Sequence, residues 1–533
     1  MAHRWLIVTL CIFVFISIIP LFMFVGKNFL PLDDQSQFEI NVRAPEGYTL
    51  SATSALAERM AADVRKLPGV TDTLVTIGSG QQQVVNLANI YIKMAPIEER
   101  SATQFDLMTR ARSEIIAKYL KEMPELRTSV NPVAAISGGG FRNADIQFVI
   151  GGPDLDKLTK YSKDLLAKLK TVPDVVDTDS TLVTGKPELR VVIDRARAAD
   201  LGVRVGDVAQ SLNTLVAGQK VSTFNAGIDQ YNVRVRAIGQ FRANAEGLQR
   251  MLVASQKVGW VSLDNLVRVE EGTGPAAIDR YNRQRQVMLT ANTKPGGSQA
   301  AVIAKLTQFA GEENMGAAYR SSLAGRSKEL GRTATYFLLA IVLSFVFMYM
   351  VLAAQFESFI HPVTILLTLP LAIPFGIVSL LVTGQTVNIF SGLGLLLLFG
   401  VVKKNAILQI DHTNGLRRQG MARGEAIVQA NRDRLRPILM TTIALVAGML
   451  PLTLSTGPGA GTNRSIGVLV VGGQSLCLLL TLLAVPVFYS LFDDLGRSRI
   501  WSRIASLFGG VFGRARRRAA AATASLLGML GKQ

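Results

Sequence analysis

The chain has 533 residues, 49% of them hydrophobic, and its formal net charge is +18, from 57 Lys and Arg against 39 Asp and Glu. This hydrophobic content and a positive mean hydropathy favour a membrane protein with a large water-exposed part over a globular enzyme. Much of the positive charge lies in Arg-rich stretches beside hydrophobic segments, which indicates an anionic lipid surface, and no nucleic-acid-binding fingerprint occurs.

The first hydrophobic segment covers residues 5–25 and is long enough to span a bilayer. Basic residues precede it, so its start is expected in the cytoplasm and the chain leaves on the far side. It carries Cys11; the other cysteine, Cys477, also falls in a hydrophobic segment. We predict packing roles for both, because a structural zinc site needs about four clustered Cys or His ligands.

Residues 28–332 contain no spanning segment and alternate between strand and helix patterns. The alternation at 37–43 predicts a strand, 51–67 an amphipathic helix, and 103–123 a second helix. Their order resembles the split βαβ (ferredoxin-like) plan, which recurs later with an insertion. The predicted domains are a first membrane helix at 1–27, one α+β subdomain at 28–135, a second at 136–185 and 274–332, and an inserted subdomain at 186–273.

Five further membrane helices are predicted within 333–492, at 334–354, 363–382, 390–410, 438–454 and 466–491, which makes six in all. The predicted loop at 414–436 carries six arginines, and the short far-side loops carry almost no charge. The positive-inside rule therefore places both termini in the cytoplasm. Residues 493–533 are basic; they fit an amphipathic helix on the inner surface or a frayed tail.

Lys403 and Lys404 lie well inside the predicted helix at 390–410. A lysine at the centre of an inserted helix costs about 2.5–3.5 kcal/mol, so it usually faces a bundle interior and pairs with a carboxylate. Asn405 and Gln409 follow one turn apart and form a polar stripe with Lys404. One lysine could instead snorkel to an interface. We expect Lys404 to be functional and Lys403 to be its less buried neighbour.

No Asp or Glu lies inside any of the six predicted spans. The partner of Lys404 must therefore come from another polypeptide, or the lysine is neutral or solvated. Arg434 and Thr441 lie at the start of the next span; Thr441 either relays protons to Lys404 or bonds to its own helix.

Several stretches resemble the resistance-nodulation-division (RND) efflux pumps of the hydrophobe/amphiphile multidrug branch. They are AQFES at 354–358, GVVKKNAIL at 400–408, RLRPILMT at 434–441, GMLPL at 448–452 and VPVF at 485–488. The resemblance runs over essentially the whole chain and corresponds to the C-terminal half of such a pump. It implies a polytopic α-helical membrane protein whose periplasmic α+β domain has two porter subdomains and an inserted docking subdomain.

The resemblance also implies site residues and partners. Lys404, Arg434 and Thr441 match the family's proton-relay network, with Asn405 beside them, and Phe141 matches an aromatic residue of the drug pocket or simply packs. The implied function is proton-driven export of hydrophobic or amphiphilic compounds from the inner membrane of a Gram-negative cell, without a cofactor. The implied partners are an N-terminal half with a membrane aspartate pair, further copies in a trimer, a periplasmic adaptor, an outer-membrane channel and lipid. The alternative is a truncated, transport-incompetent assembly subunit with a periplasmic binding domain; no enzymatic site is recognisable.

Overall fold

The computed structural model describes residues 3–78, 84–133, 143–242 and 244–496. In these ranges the α-helices are α1 (Arg4–Ile16), α2 (Ile18–Phe24), α3 (Leu50–Val64), α4 (Gln104–Arg110), α5 (Ala117–Glu122), α6 (Leu155–Lys170), α7 (Arg195–Asp200), α8 (Val205–Leu212), α9 (Ala245–Gln249), α10 (Gln299–Glu312), α11 (Gly325–Phe356), α12 (Ile360–Leu366), α13 (Ala372–Val382), α14 (Ile389–Arg418), α15 (Arg423–Thr453) and α16 (Ala460–Gly496). The strands are β1 (Gln37–Arg43), β2 (Val70–Ile77), β3 (Leu87–Met94), β4 (Arg127–Pro132), β5 (Ile146–Gly152), β6 (Val175–Ser180), β7 (Lys186–Ile193), β8 (Gln219–Ala226), β9 (Asp229–Val235), β10 (Leu252–Ser255), β11 (Gly259–Ser262), β12 (Val267–Gly274), β13 (Arg280–Tyr281), β14 (Gln284–Thr293) and β15 (Arg320–Leu323).

The described residues form two compact units. One comprises the described parts of residues 1–43, 53–181 and 281–533, and the other comprises those of 44–52 and 182–280. The smaller unit holds the paired strands β7 and β12, the hairpins β8–β9 and β10–β11, and short helices around its own apolar core.

The larger unit contains five helices, within the described residues, that are long and apolar enough to cross a membrane. They are α1 with α2 (Arg4–Phe24), α11, α14, α15 and α16 (Ala460–Leu495). The segment predicted as one span at 363–382 instead forms α12 and α13, with a break that contains Pro370. Proline lacks the amide hydrogen that a continuous helix would use and clashes with the preceding turn, which explains the break.

The first sheet of the larger unit has the strand order β2-β3-β1-β4, and all its pairs are antiparallel. In β1, Phe38, Ile40 and Val42 are buried while Glu39 and Asn41 lie on the other face. The predicted strand at 37–43 is confirmed, and the helix predicted at 51–67 is α3, displaced by one to three residues.

The helix predicted at 103–123 is not uniform. It consists of α4, a π-helical turn at Ala111–Ile116 and α5. Thr103 begins it with a capping box, because its hydroxyl accepts from the Asp106 amide at 3.2 Å while its own amide donates to the Asp106 carboxylate. A π-helical turn inserts one residue into the helix and turns the side chains that follow it.

The second sheet has the order β13-β14-β5-β15, and its fifth strand, β6, also pairs with β14. Its strand β5 is buried along nearly its whole length, and α6 and α10 pack on it. The chain leaving α2 is fixed to α10 by two hydrogen bonds of 2.9 Å. The backbone amide of Phe29 donates to the side-chain oxygen of Gln299, and the backbone amide of Gln299 donates to the side-chain oxygen of Asn28.

Candidate functional site

The polar stripe of α14 is oriented by the cap at the start of the helix. Asn388 accepts from the amides of Phe390 and Ser391 at 3.0 Å, and its own amide group donates to Ser465 on α16 at 3.2 Å. These bonds fix the rotation of α14 about its axis. In that orientation Asn405 and Gln409 point into the bundle, where they are 4% and 2% exposed.

The two lysines of α14 point in different directions. Lys404 is exposed and Lys403 is half-buried, so the expectation that Lys403 is the less buried neighbour is wrong for this chain. Lys403 is turned towards α11 and lines a cavity with Gln355, Phe356 and Asp411. Among the described residues, Lys404 finds no hydrogen-bond or ion-pair partner, and none of them covers the exposed face on which it lies.

The predicted relay residues of α15 have separate surroundings. The Thr441 hydroxyl donates to the Ile438 carbonyl of its own helix at 3.1 Å. The Arg434 Nε atom is buried and has no hydrogen-bond partner among the described residues. No contact joins Thr441 or Arg434 to Lys404 in the described part of the chain, so their joint role stays a prediction. Phe141 lies outside the described residues.

Unpartnered polar atoms accumulate in the interior of α14, α15 and α16. They include Oε1 of Gln409 and Oε1 of Gln474. The Nε2 atom of Gln474 donates to the Thr442 hydroxyl at 3.4 Å. A buried polar atom without a partner costs about 1–3 kcal/mol, so such atoms usually bind water or a partner group.

A cavity of about 420 Å³, here called the helix-end cavity, lies where the sheets of the larger unit meet the start of α14 and the turn before α16. Its apolar lining includes Phe29, Leu30, Phe105, Met108 and Phe390. Its charged lining comprises Asp33, Arg112, Asp145, Lys294 and Arg326. It therefore offers both an apolar wall and charged groups to a ligand.

A second cavity of about 280 Å³, here called the inter-sheet cleft, lies between the polar face of β1, β3 and β4 and the residues of β6 and β14. Its walls are mainly polar and include Glu39, Asn41, Asn89, Asp177 and Asp179. Arg127 spans the cleft and binds Asp179 at 3.3 Å.

Arg112 and Asp177 form a two-pronged ion pair between the two sheets. Arg112 Nε lies 3.2 and 3.0 Å from the two Asp177 oxygens, and its Nη2 lies 2.8 Å from one of them. The same carboxylate accepts from Asn292 Nδ2 at 3.0 Å and from the Val130 amide at 3.3 Å. Asn292 also donates to Asn131 at 2.6 Å.

The profile of the AcrB/AcrD/AcrF family matches residues 1–493. The chain belongs to this family of RND permeases. Its members are efflux transporters and not enzymes, and the long apolar helices agree with a multi-pass membrane protein.

Two solved crystal forms of a heavy metal efflux pump have the same fold as this RND permease chain. The identities are 23% and 22%, and the TM-scores are 0.80 and 0.79. Each comparison covers 92% of this chain but only 51% and 50% of the matched chain. The chain thus spans about half the length of the solved structures that it matches.

Sequence reasoning on this RND permease chain missed two sets of residues. One is the Arg112–Asp177 pair, because its members are 65 residues apart and neither belongs to a motif. The other lies at the C-terminal end of α16, where Asp493 binds Arg417 and Arg423 at 3.1 Å each and Asp494 binds Arg4 at 3.2 Å. A signal existed only for the second set, since Asp493 and Asp494 are adjacent carboxylates directly after the last apolar segment.

Proposed function

We propose that this chain is one half of a proton-driven RND exporter. It works with a separate half that carries the family's membrane aspartate pair, in a trimeric assembly with a periplasmic adaptor and an outer-membrane channel. The observation that carries the proposal is Lys404: a cation midway along an apolar helix, exposed, and without a carboxylate partner in the described residues.

The proposed coupling is a proton switch at Lys404. When the partner's carboxylates are ionised they pair with the Lys404 ammonium, and protonation breaks the pair and allows the helices to shift. Each proton that enters down 100 mV releases about 2.3 kcal/mol. The driving force is the proton-motive force, so the proposal needs no cofactor.

Asn405, Arg434 and Thr441 are the proposed relay around this switch. The unpartnered buried atoms of Gln409, Gln474 and Arg434 favour a hydrated interior. Water held there would connect the residues that the described structure leaves apart.

The proposed topology has six spans in the inner membrane and both termini in the cytoplasm. Five are the long helices, and the remaining span, third in chain order, consists of α12 and α13 together. The two sheets of the larger unit are then ferredoxin-like porter subdomains. The smaller compact unit supplies the docking subdomain that faces the outer-membrane channel.

Hydrophobic or amphiphilic compounds are the proposed substrates. The helix-end cavity supports this choice because it combines apolar and charged walls beside the ends of two apolar helices. A metal cation is the second candidate, favoured by the similarity of the fold to that of a heavy metal efflux pump, although the described residues contain no cluster of three His, Cys, Asp or Glu side chains that could hold a metal ion. A non-transporting assembly subunit is the remaining alternative.

The test is co-expression of the chain with a six-span partner half that carries an aspartate pair, in cells lacking other pumps. Dye efflux and metal tolerance are measured for the unmodified chain, Lys404→Met and the matched control Lys403→Met. We expect efflux to be lost only with Lys404→Met. Equal efflux by Lys404→Met and the unmodified pair would overturn the coupling role of Lys404. Protection against metals without dye efflux would show that the substrates are metal cations and not amphiphiles.

A further inference from the structure

The helix-end cavity and the inter-sheet cleft share a polar wall. Asn292 lines both cavities, Arg112 lines the helix-end cavity, and Asp177 lines the cleft. The bonds among these three side chains therefore lie between the two cavities. If the chain is half of an exporter, cargo crossing this wall must break them.

The wall presents a cation to the helix-end cavity. Arg112 lines that side, and its carboxylate partner Asp177 lines the cleft. The two carboxylates in the helix-end cavity are already bonded: Asp145 binds Arg326 at 3.4 Å, and Asp33 accepts from the Gly459 and Gly461 amides at 2.9 and 3.0 Å.

Lys294 is another cation of the helix-end cavity, and its side chain makes no hydrogen bond or ion pair with any described residue. The lining thus holds three cations, Arg112, Lys294 and Arg326, against two carboxylates, and both carboxylates are engaged. The apolar wall formed by Phe29, Phe105 and Met108 would hold a hydrocarbon chain beside these cations.

The chain departs from regular structure on both sides of the wall. Arg112 lies in the π-helical turn Ala111–Ile116, and Asp177 has a left-handed backbone with φ +52°. The ladder between β6 and β14 shifts register between Thr290 and Asn292. A non-glycine residue at positive φ and a π-helical turn are both uncommon and are enriched at functional sites.

We propose that the Arg112–Asp177 pair is an anion-selective gate between the two cavities, and that its ligand is an anionic amphiphile with a carboxylate or phosphate headgroup. The headgroup replaces the Asp177 carboxylate on the Arg112 guanidinium, which offers the same two-pronged geometry to either anion. Asp177 keeps its bonds to Asn292 and the Val130 amide, so no charge is left without a hydrogen bond. The exchange makes and breaks no covalent bond.

The gate is tested by binding to the purified full chain in nanodiscs, without a partner half or a proton gradient. The probes share one alkyl chain: decanoate, decyl phosphate and decyltrimethylammonium. The variants are Arg112→Gln, Asp177→Asn and the control Arg110→Gln, which removes an exposed pair with Glu114 on the same helix.

We expect decanoate and decyl phosphate to bind and the cationic probe to bind far more weakly. Arg112→Gln should weaken binding of the anionic probes by about tenfold, the loss expected for one charge-assisted contact. Asp177→Asn should strengthen it several-fold, because the ligand no longer competes with Asp177; a merely structural pair would weaken binding in both variants.

Three results would overturn the gate: equal binding of the cationic probe, weaker anion binding by Asp177→Asn, or no saturable binding of either anion by the unmodified chain. Binding only one of the two anions would still support the gate and assign its headgroup. These binding measurements involve no transport. If the chain binds the anions as expected but exports nothing, the proposed function is refuted and the gate is not.

Discussion

Asp493 near the end of α16 lies 3.1 Å from Arg417 of α14 and 3.1 Å from Arg423 of α15, so one carboxylate joins three helices. Tyr489 extends the cluster, because its hydroxyl donates to Asn414 at 2.7 Å and accepts from Arg417 at 2.8 Å. The stretch at 414–436, predicted from the sequence as a loop, therefore lies mostly in α14 and α15, and its arginines tie the helices together at this end.

We expect Asp493→Asn to destabilise the helical part by about 1–2 kcal/mol, since partly exposed charged hydrogen bonds are lost and two arginines keep their charge. Denaturant unfolding of the full chain in detergent measures this change. Asp494→Asn is the comparison: this carboxylate also binds Arg423 and Arg4, but it is 47% exposed whereas Asp493 is 20% exposed, so its effect should be smaller. Equal losses in the two variants would show that the less exposed Asp493 contributes no more than its neighbour.

Asp63 stabilises the first sheet's helices in a pH-dependent way. Hydrogen bonds from Lys66 at 2.7 Å and Tyr119 at 2.9 Å lower the pKa of Asp63 to about 2. Burial and the same carboxylate raise the pKa of Tyr119 to about 12, so the phenol stays protonated and donates.

Because the folded pKa of Asp63 lies below its ordinary value near 4, its contribution is full above pH 4 and is lost as the pH falls towards 2. Asp63→Asn should therefore lower stability at pH 7 but make little difference near pH 2. Unfolding of the two proteins as a function of pH measures this difference. A gap that stays constant from pH 7 to pH 2 would rule out the ionised carboxylate as its source.

Gly325 connects β15 to α11 in a left-handed conformation, with φ +48°. A Cβ atom there would also clash with the Gln147 side-chain oxygen. Gly325→Ala should cost about 1–2 kcal/mol from the backbone alone, plus the displacement of Gln147.

Gly331→Ala is the matched control for Gly325→Ala, because Gly331 lies inside α11 with open space around its Cβ position. It should be neutral or stabilising, since alanine favours helix. Thermal unfolding of the two variants compares them directly, and equal destabilisation would show that the strained junction is unimportant.

The sequence predicted what local pattern determines. Period-two burial in β1 placed Phe38 and Ile40 inward, and hydrophobic length located the long helices. It failed at Pro370, where a continuous apolar run hid a break, and at Lys403, whose burial depends on the position of α11. It could not find Arg112–Asp177, because a π-helical turn and a left-handed aspartate leave no periodic signature.

Substitutions of the neighbouring threonines Thr441 and Thr442 in α15 distinguish an effect on stability from an effect on proton transfer. The Thr442 hydroxyl accepts from Gln474, whose side-chain oxygen already lacks a partner among the described residues. Thr442→Val would leave the whole Gln474 amide unpaired, so we expect a loss of about 1–3 kcal/mol.

Thr441→Val removes only a bond to the carbonyl of its own helix. Its stability should therefore stay within about 0.5 kcal/mol of the unmodified chain. If Thr441 is part of the relay, co-expression with the partner half should give lower dye efflux for Thr441→Val at normal stability. Full efflux by this variant would leave Thr441 as a helix-bonded hydroxyl, and the proton path would then have to run through water beside Asn405 and Gln409.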